Sequence, residues 1–247
     1  MRNMIKKRCT AVVLAAGSGS RMKSNVAKQY MLIKDKPLIW YALHAVEESQ
    51  VIDDCILVTG EADIPYMQKE VVEKYDFSKV ALIIAGGAER YLSVANAMEA
   101  IGAGKLSIPN EDGYVFIHDG ARPFLTEKIL EDTYKAVEQC HACVAAVPSK
   151  DTIKIADENG FAVTTPDRRL VWSIQTPQVF DTKLIVKAYA TLKEKLPEMA
   201  RKGISVTDDA SVVELFTDQK VKLVEASYEN IKITTPEDIK TAEAFMK

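Results

Sequence analysis

The sequence predicts an α/β fold, built as a Rossmann-like, mostly parallel sheet with helices on both faces. Short apolar runs rich in β-branched residues alternate along the 247-residue chain with segments of helical periodicity. This alternation describes βαβ units, which join parallel strands through right-handed crossovers. A polar stretch at residues 148–170 interrupts the rhythm. We expect it to form a protruding β-arm within a single domain of residues 1–247, a length sufficient for a sizeable core.

The first strand is predicted at residues 11–16, an apolar run with the length and β-branched character of a buried parallel strand. Further strands are predicted at residues 55–59, 80–85, 114–118, 143–147 and 221–224. Helical periodicity predicts helices at residues 37–48, 64–75, 89–103, 127–139, from 181 to about 195, at 207–215 and from 236 onward. Thr126 and Thr235 are the expected N-caps of two helices, because a threonine hydroxyl accepts a hydrogen bond from an unpaired helical N–H.

Between residues 147 and 178 the pattern becomes that of a β-hairpin. Polar and apolar residues alternate around residues 152–155, turn-forming residues follow at 158–160, and a second extended run covers 163–169. A long polar hairpin with an exposed edge needs a partner, because unpaired edges promote aggregation. Two arms that embrace would cover both edges, so we expect a homodimer through the β-arm.

The composition excludes several functional classes. Apolar residues make up 47% and charged residues 27% of the chain, as in ordinary globular enzymes, and the formal net charge of -3 argues against a nucleic-acid scaffold. No run approaches the ~18 apolar residues of a membrane span. A basic start precedes the apolar run at residues 9–16, but Arg21, Lys23 and Lys28 follow at once, unlike in a signal peptide. We therefore expect a cytoplasmic protein with no nucleic-acid or membrane partner.

The four cysteines do not indicate a disulfide framework in a chain of this length. Cys140 and Cys143 do form a CxxC motif. A zinc site would need a second ligand pair, and a redox pair would need a helix N-terminus. The motif instead joins the end of a predicted helix to a predicted strand, so we interpret both residues as ordinary structural cysteines.

A glycine-rich loop after the first strand is the clearest functional signal. The strand runs directly into the sequence GSGS at residues 17–20, and the cations Arg21 and Lys28 follow. Small residues let backbone N–H groups approach an anion closely. Nearby cations can stabilise the charge that a phosphate develops during a reaction. The combination predicts a binding site for nucleotide phosphates.

On the residues alone, other interpretations of this loop remain open. A dinucleotide-binding fingerprint, as in an oxidoreductase, would need a third glycine where the chain has Met22, and an acid nearer the loop than Glu61. A P-loop would need a G-K-[ST] sequence, which does not follow. The loop could also be a plain turn with solvated cations beside it.

Candidate motifs directly follow three of the predicted strands. The glycine loop follows the first strand, Gly86 and Gly87 follow the third, and Asp119 follows the fourth. Ligands of open α/β sheets bind at the carboxyl ends of the strands. We therefore expect these motifs to form one site.

Asp119 is the predicted metal ligand. A lone carboxylate that faces a phosphate loop suits Mg²⁺, which keeps most of its waters and binds one or two protein oxygens together with the phosphates. Its neighbour His118 needs no acid–base role, because a phosphate monoester is already largely ionised near pH 7. We expect His118 to be structural.

The glycine loop and several later segments resemble a known enzyme family. The sequence LAAGSGSRM at residues 14–22, followed by KQY at 28–30, is similar to the signature loop of sugar-phosphate nucleotidyltransferases. The sequences GGAER with Ser93, HDGARP, KDTIK, WSIQTPQ and NIKIT resemble, in order, segments of the 2-C-methyl-D-erythritol 4-phosphate cytidylyltransferases. The resemblance extends from about residue 8 to the end of the chain.

This resemblance implies a reaction. The cytidylyl group of CTP would pass to 2-C-methyl-D-erythritol 4-phosphate, giving 4-diphosphocytidyl-2-C-methyl-D-erythritol and pyrophosphate in the non-mevalonate pathway to isoprenoid precursors. CTP would be the co-substrate and Mg²⁺ the cofactor, held by Asp119. The other partner would be the acceptor, a sugar-alcohol phosphate.

The resemblance also implies roles for individual residues. Catalytic roles fall to Arg21, Lys28, Arg168 and Lys232. Contacts with CTP fall to small residues of the loops, namely Ala15, Ala16, Gly17, Ser18, Gly19, Gly87, Ala88, Ser93 and Gly120. Contacts with the acceptor fall to Arg122, Thr152 and Thr176, and the arm residues Thr152 and Arg168 would reach the site of the partner subunit. Family members often carry an acid where this chain has Ala88, so contact there would come from the backbone.

The nearest rival function is cytidylyl transfer to ribitol 5-phosphate, whose enzymes resemble this family closely. The sequences ERY at residues 89–91 and ASVVE at 210–214 are more similar to the methylerythritol group. A non-catalytic nucleotide-binding regulator would keep the glycine loop and lose Arg21, Lys28 or Asp119. All three residues are present.

Overall fold

A seven-stranded sheet forms the centre of the molecule in the computed structural model, which describes residues 6–17 and 27–246. The strands of this sheet and of two small two-stranded sheets are β1 (Cys9–Leu14), β2 (Leu32–Ile33), β3 (Lys36–Pro37), β4 (Asp54–Thr59), β5 (Val80–Ala85), β6 (Tyr114–Asp119), β7 (Ala142–Pro148), β8 (Ile155–Ala156), β9 (Ala162–Thr164), β10 (Trp172–Asp181) and β11 (Lys222–Glu225). The helices are α1 (Leu38–Glu48), α2 (Ile64–Tyr66), α3 (Arg90–Gly102), α4 (Glu127–Cys140), α5 (Thr182–Lys202), α6 (Asp209–Phe216) and α7 (Pro236–Phe245). A π-helical segment, Met67–Glu73, continues α2, and short 3₁₀ turns cover Lys28–Tyr30, Glu61–Asp63 and Arg168–Leu170.

The central sheet has the strand order β11-β7-β10-β6-β1-β4-β5. Every neighbouring pair is parallel except the pairs of β10, which runs antiparallel to both β6 and β7. β1 lies between β4 and β6, so the loop that follows β1 emerges beside the ends of both neighbours. The predicted mostly parallel α/β sheet is confirmed.

Helices cover both faces of the sheet, as predicted. Neighbouring residues of a strand face opposite sides, so Val13 of β1 packs in a core with α1 and α4, while Val12 packs in a second core with α3 and α5. Burial on both faces explains why β1 is a continuous apolar run. A third small cluster, which includes Ala121 and Ile233, packs α7 near the loop after β6.

Outside the hairpin segment, the predicted helices and strands occur within a few residues of their expected bounds, with three differences. The helix expected at residues 64–75 is one turn of α-helix followed by the π-helical segment. α5 continues past its expected end to Lys202, with Pro197 inside it. β10 is missing from the prediction because its sequence, WSIQTPQVFD, contains a proline and two glutamines and lacks the apolar continuity of a central strand.

Although α5 has 21 residues, no helix in the described part of the chain has both the length and the apolar character of a membrane span.

A short hairpin lies where the β-arm is predicted. β8 and β9 pair antiparallel, and Gly160 turns the chain between them with a φ of 86°, a left-handed conformation that glycine adopts without steric penalty. The two strands are shorter than expected, and both are exposed. A protruding arm that forms a dimer contact stays a prediction, as do the domain limits 1–247 and 148–170.

Candidate active site

A cavity of about 480 Å³ opens at the carboxyl ends of β1, β5 and β6. Its walls come from the loop after β1, the turn after β5, the loop after β6 and the segment before α7. Among the predicted site residues, those that line it are Ala15, Ala16, Gly17, Lys28, Gly87, Ala88, Ser93, Asp119, Gly120 and Lys232. The structure thus brings together the motifs that follow three different strands. Their contacts with CTP stay predictions.

Two glycines let these segments approach one another. A Cβ at Gly86 would lie 2.4 Å from the Cβ of Ala16, and a Cβ at Gly120 would lie 2.9 Å from the backbone carbonyl oxygen of Leu14. Neither distance leaves room for a side chain. The turn after β5 therefore packs directly against the loop after β1, and the two form adjacent walls of the cavity.

Asp119 is the centre of a cluster of charges on the cavity wall. Its Oδ1 accepts a hydrogen bond from Nε of Arg90 at 3.0 Å, and its Oδ2 lies 2.7 Å from Nζ of Lys232. Nε of Arg122 lies 4.0 Å from the same Oδ2. Burial alone would raise the pKa of Asp119, but the charges of Arg90, Lys232 and Arg122 outweigh it and hold that pKa well below its usual value. The carboxylate is therefore ionised at neutral pH.

Arg90 is a site residue that the sequence analysis missed. Its Nη1 and Nη2 donate to the two oxygens of Asp209 at 2.9 and 2.8 Å, while its Nε faces Asp119. Asp209 is fully buried, and Tyr189 donates its hydroxyl proton to the same carboxylate at 2.5 Å. Burial alone would lower the pKa of Arg90, but Asp209 and Asp119 raise it well above its usual value. The GGAER segment contains Arg90, but nothing in the sequence pairs it with an acid 119 residues farther along.

A second group of bonds holds Arg122 and the segment that carries Lys232. Nη1 of Arg122 donates to the backbone carbonyl of Asn230 at 2.7 Å. The fully buried side-chain amide of Asn230 donates to the carbonyl of Thr176 at 2.9 Å and to Oε1 of Gln175 at 3.0 Å. Because Lys232 follows Asn230 closely, these bonds fix the backbone from which Lys232 reaches the cavity. Arg122 itself is largely buried and is not among the residues that line the cavity.

Thr176 and His118 are packed behind Asp119 and are not among the lining residues. The hydroxyl oxygen of Thr176 accepts a hydrogen bond from the Asp119 N–H at 3.0 Å and lies 3.0 Å from Nδ1 of His118. Burial lowers the pKa of His118 to about 4, so its ring is neutral at physiological pH, which agrees with the structural role expected for it. The acceptor contact of Thr176 stays a prediction.

Several predicted residues lie away from the cavity or outside the described residues. Ser18, Gly19 and Arg21 lie outside the described residues. Thr152 and Arg168 are exposed on the segment between β7 and β10 and are not among the residues that line the cavity of their own chain. Nη1 of Arg168 donates to the backbone carbonyl of Lys150 at 3.2 Å.

Neither the CxxC residues nor the acidic side chains of the described residues form a cluster of metal ligands. Cys140 and Cys143 are free thiols, half-buried and buried respectively. Within the described residues, no group of three or more histidine, cysteine, aspartate or glutamate side chains is placed to hold a metal ion. A metal at Asp119 would therefore have few protein ligands, which suits Mg²⁺ with its waters and phosphates better than it suits Zn²⁺.

The fold and the site define a class of protein. Small residues in the loop after β1, two lysines and an ionised aspartate meet in one cavity at the carboxyl edge of an α/β sheet. This arrangement suits the binding of nucleotide phosphates and the transfer of a nucleotidyl group from one phosphate to another. It is the site of a nucleotidyltransferase.

Comparison with known proteins gives the family. The family model for 2-C-methyl-D-erythritol 4-phosphate cytidylyltransferase matches residues 9–247, and the chain belongs to this family. The protein of that name from Lachnospira eligens is 48% identical over 96% of this chain and 99% of its own length. That from Caldanaerobacter subterraneus is 43% identical over 96% of this chain and 98% of its own. The crystal structure of 4-diphosphocytidyl-2C-methyl-D-erythritol synthase from Anaerococcus prevotii is similar with a TM-score of 0.79 and 35% identity, covering 98% of this chain and 96% of that one.

Proposed function

We propose that this chain transfers the cytidylyl group of CTP to 2-C-methyl-D-erythritol 4-phosphate, with release of pyrophosphate and formation of 4-diphosphocytidyl-2-C-methyl-D-erythritol for isoprenoid precursor synthesis. Family membership supports the reaction. The observation that carries the site assignment is the charge cluster at Asp119, where Arg90 and Lys232 meet one carboxylate at a cavity that Lys28 also lines. Two anions, a nucleoside triphosphate and a phosphate monoester, would come together there.

The protein would act mainly by positioning and by positive charge. The acceptor's phosphate oxygen attacks the α-phosphorus of CTP in line, and pyrophosphate leaves. No general base is needed, because the attacking phosphate is largely ionised near pH 7. Cations placed where the phosphoryl oxygens gain charge lower the barrier. Lys28 and Arg21 would serve the triphosphate, and Lys232 and Arg122 the acceptor.

Small residues of two loops would bind CTP. Ala15, Ala16 and Gly17 let the triphosphate approach the backbone closely, because their side chains are small or absent. The turn after β5 would receive the cytosine. The N–H of Gly87 already donates to the hydroxyl oxygen of Ser93 at 3.0 Å, so the base edge would meet the backbone of Ala88.

Mg²⁺ fits the residues present at this site. The carboxylate of Asp119 lies in the cavity wall, and each of its oxygens has lone pairs beyond the one that Arg90 or Lys232 occupies. Asp119 would hold the ion together with phosphate oxygens and water. The ion would neutralise charge on the triphosphate and polarise the reacting phosphoryl group.

A homodimer through the β-arm would complete the site. Large apolar side chains are exposed along this segment, with Phe161 72%, Val163 68% and Leu170 80% exposed. An exposed apolar hairpin edge favours association with another chain. Thr152 and Arg168 lie on the same segment, so the arm of a second copy would bring both residues to the acceptor's phosphate. The arginine fork suits bidentate binding of that phosphate.

We place the enzyme in the cytoplasm, with small molecules and a second copy of itself as its partners. Cys9, Cys55, Cys140 and Cys143 are all free thiols. Free thiols are usual in reducing compartments.

The reaction is tested by pyrophosphate release from CTP and Mg²⁺, with 2-C-methyl-D-erythritol 4-phosphate and ribitol 5-phosphate offered in parallel. We expect turnover with the first acceptor, complete loss of turnover on chelation of the metal, and recovery when Mg²⁺ is restored. The chelation arm tests the metal requirement separately from the choice of acceptor. Turnover with ribitol 5-phosphate alone would contradict the proposed acceptor while keeping the mechanism. No turnover with either acceptor in a folded protein would contradict the function.

A further inference from the structure

We propose that Thr176 and His118 form a hydrogen-bonded relay that positions Asp119 for the reaction, and that Thr176 acts through Asp119 rather than by touching a substrate. The hydroxyl of Thr176 and the imidazole of His118 are both buried, with 3% and 1% of these residues exposed. Both are positioning residues in this account. The kinetic test of this relay rests on the proposed function, whereas the test by the ¹⁵N chemical shifts of His118 does not.

The relay begins where the pairing between β10 and β6 ends. β10 pairs with β6 at residues 178–181, opposite residues 114–117, and its register against β7 shifts between Ile174 and Gln178. Beyond this pairing, the Asp119 N–H donates to the side chain of Thr176 at 3.0 Å. A side-chain hydroxyl thus takes the place of a strand carbonyl at the residue that carries the central carboxylate.

For a neutral His118 ring, the hydrogen bond from Nε2 to the carbonyl of Arg122 assigns a direction to the remaining bonds of the relay. The carbonyl oxygen of Arg122 can only accept, so Nε2 of His118, at 3.2 Å, carries the proton and donates it. In a neutral imidazole the other nitrogen, Nδ1, then accepts, and its donor is the Thr176 hydroxyl at 3.0 Å. With its proton directed to His118, the Thr176 oxygen accepts from the Asp119 N–H.

The relay therefore joins the backbones of Asp119 and Arg122 through two side chains. On its other side, the chain at Asp119 is held by the bond from the Gly120 N–H to the carbonyl of Leu14 at 2.9 Å. Loss of the Thr176 hydroxyl would leave the Asp119 N–H and Nδ1 of His118 without their partners. The carboxylate would then lose its fixed position between Arg90 and Lys232, and displacements of about 1 Å in a catalytic site can cost roughly 10²-fold in rate.

The test compares three variants with the wild type. Thr176→Val removes the hydroxyl with little change in shape, and Thr176→Ser retains it. Thr133→Val is the matched control, because Thr133 is also fully buried but lies on α4, where its hydroxyl donates to the carbonyl of Ile129 at 2.7 Å. For each variant, kcat, the KM of the acceptor and the thermal unfolding midpoint are measured.

We expect Thr176→Val to lower kcat by roughly 10- to 100-fold, with less than about a threefold change in the acceptor's KM. Thr176→Ser should restore most of kcat. Thr133→Val should lower the unfolding midpoint without changing kcat. A higher acceptor KM with unchanged kcat in Thr176→Val would overturn the inference in favour of direct substrate contact. Unchanged kinetics in Thr176→Val would overturn it as well.

A second measurement needs no activity. The ¹⁵N chemical shifts of the His118 ring in the wild-type protein report which nitrogen carries the proton. We expect a neutral ring protonated at Nε2. A ring protonated at Nδ1 would overturn the relay even if the enzyme is active. If the Nε2–H tautomer is found but neither acceptor turns over in the wild type, the relay stands and the proposed function fails.

Discussion

The cavity at the strand ends and the hairpin segment between β7 and β10 differ in how their charged groups are held. In the cavity wall, Asp119, Arg90 and Asp209 form one connected set of bonds, and each acid is almost fully buried. On the hairpin segment, Thr152 and Arg168 are exposed, and Arg168 bonds only within the segment among the contacts described. One chain therefore preorganises the part of the site assigned to CTP and Mg²⁺. Thr152 and Arg168, also proposed to bind the acceptor's phosphate, are exposed and would complete the site only in the proposed dimer.

The physical reason for this difference is desolvation. A buried carboxylate must be paired or hydrogen-bonded, and Asp119 is held by the side chains of Arg90 and Lys232. An exposed arginine keeps its water and needs no fixed partner until a phosphate arrives. Substitutions in the two regions should therefore differ in kind. In the cavity wall they should alter activity and stability together, and on the hairpin segment they should alter activity alone.

The largest effect is expected from Asp119→Asn. The substitution removes the negative charge that Arg90 and Lys232 share and the carboxylate proposed to hold Mg²⁺. We expect kcat to fall by at least roughly 10²- to 10³-fold. Asp112→Asn is the control, because Asp112 is an exposed acid paired with Lys183 far from the cavity. A variant of Asp119 with more than a tenth of wild-type kcat would contradict the central place of this carboxylate.

A smaller effect on kcat, together with a loss of stability, is expected from Arg90→Lys. A lysine keeps the positive charge, but its single side-chain nitrogen cannot donate to Asp119 and to both oxygens of Asp209 at once. The buried Asp209 would lose a bidentate partner, so we expect a loss of about 3 kcal/mol in the free energy of unfolding and a fall in kcat of roughly tenfold. Urea unfolding and steady-state kinetics measure the two effects. A variant with full stability and full activity would show that the two acids do not depend on this guanidinium.

The smallest structural effect is expected from Arg168→Ala. Because Arg168 is exposed, the free energy of unfolding should stay within about 0.5 kcal/mol of the wild type. The KM of the acceptor should rise and kcat/KM should fall by roughly 10-fold or more through the lost phosphate contact. Arg169→Ala is the matched control, since the next residue is also an exposed arginine, bound to Asp167. Equal losses in both variants would point to general charge rather than to a specific contact.

Much of the fold follows from local pattern. The strands at residues 80–85 and 55–59 occur at or within one residue of their expected bounds, because continuous apolar runs with β-branched residues favour strands. The run at 55–59 is buried throughout, whereas that at 80–85 forms a partly exposed edge strand. The meeting of Gly17, Gly87 and Asp119 in one cavity follows from the rule that parallel strands end at the same edge. Lys232 could be assigned only through family resemblance, since a lone lysine carries no pattern.

The missed features depend on contacts between distant parts of the chain. Arg90 donates to Asp209, which also accepts a hydrogen bond from Tyr189, and these residues come together only when α3, α5 and α6 pack on one face of the sheet. The reversed strand β10 has no continuous apolar signal, because its polar residues are buried through side-chain bonds such as that from Asn230 to Gln175. The hydroxyl of Thr176 is likewise bonded inside the protein, to the Asp119 N–H and His118, and not exposed in the cavity.

Mixing two impaired variants tests most directly whether the cavity of one chain is completed by the hairpin of another. Lys232→Ala damages the cavity, and Arg168→Ala damages the hairpin segment. If the hairpin acts on the partner's cavity, a mixed dimer contains one intact site and one site with both defects. Random exchange of subunits makes half of the dimers mixed, so the mixture should regain roughly a quarter of wild-type activity. If both residues serve the same chain, no site is repaired, and an activity no higher than the average of the two variants would contradict the account.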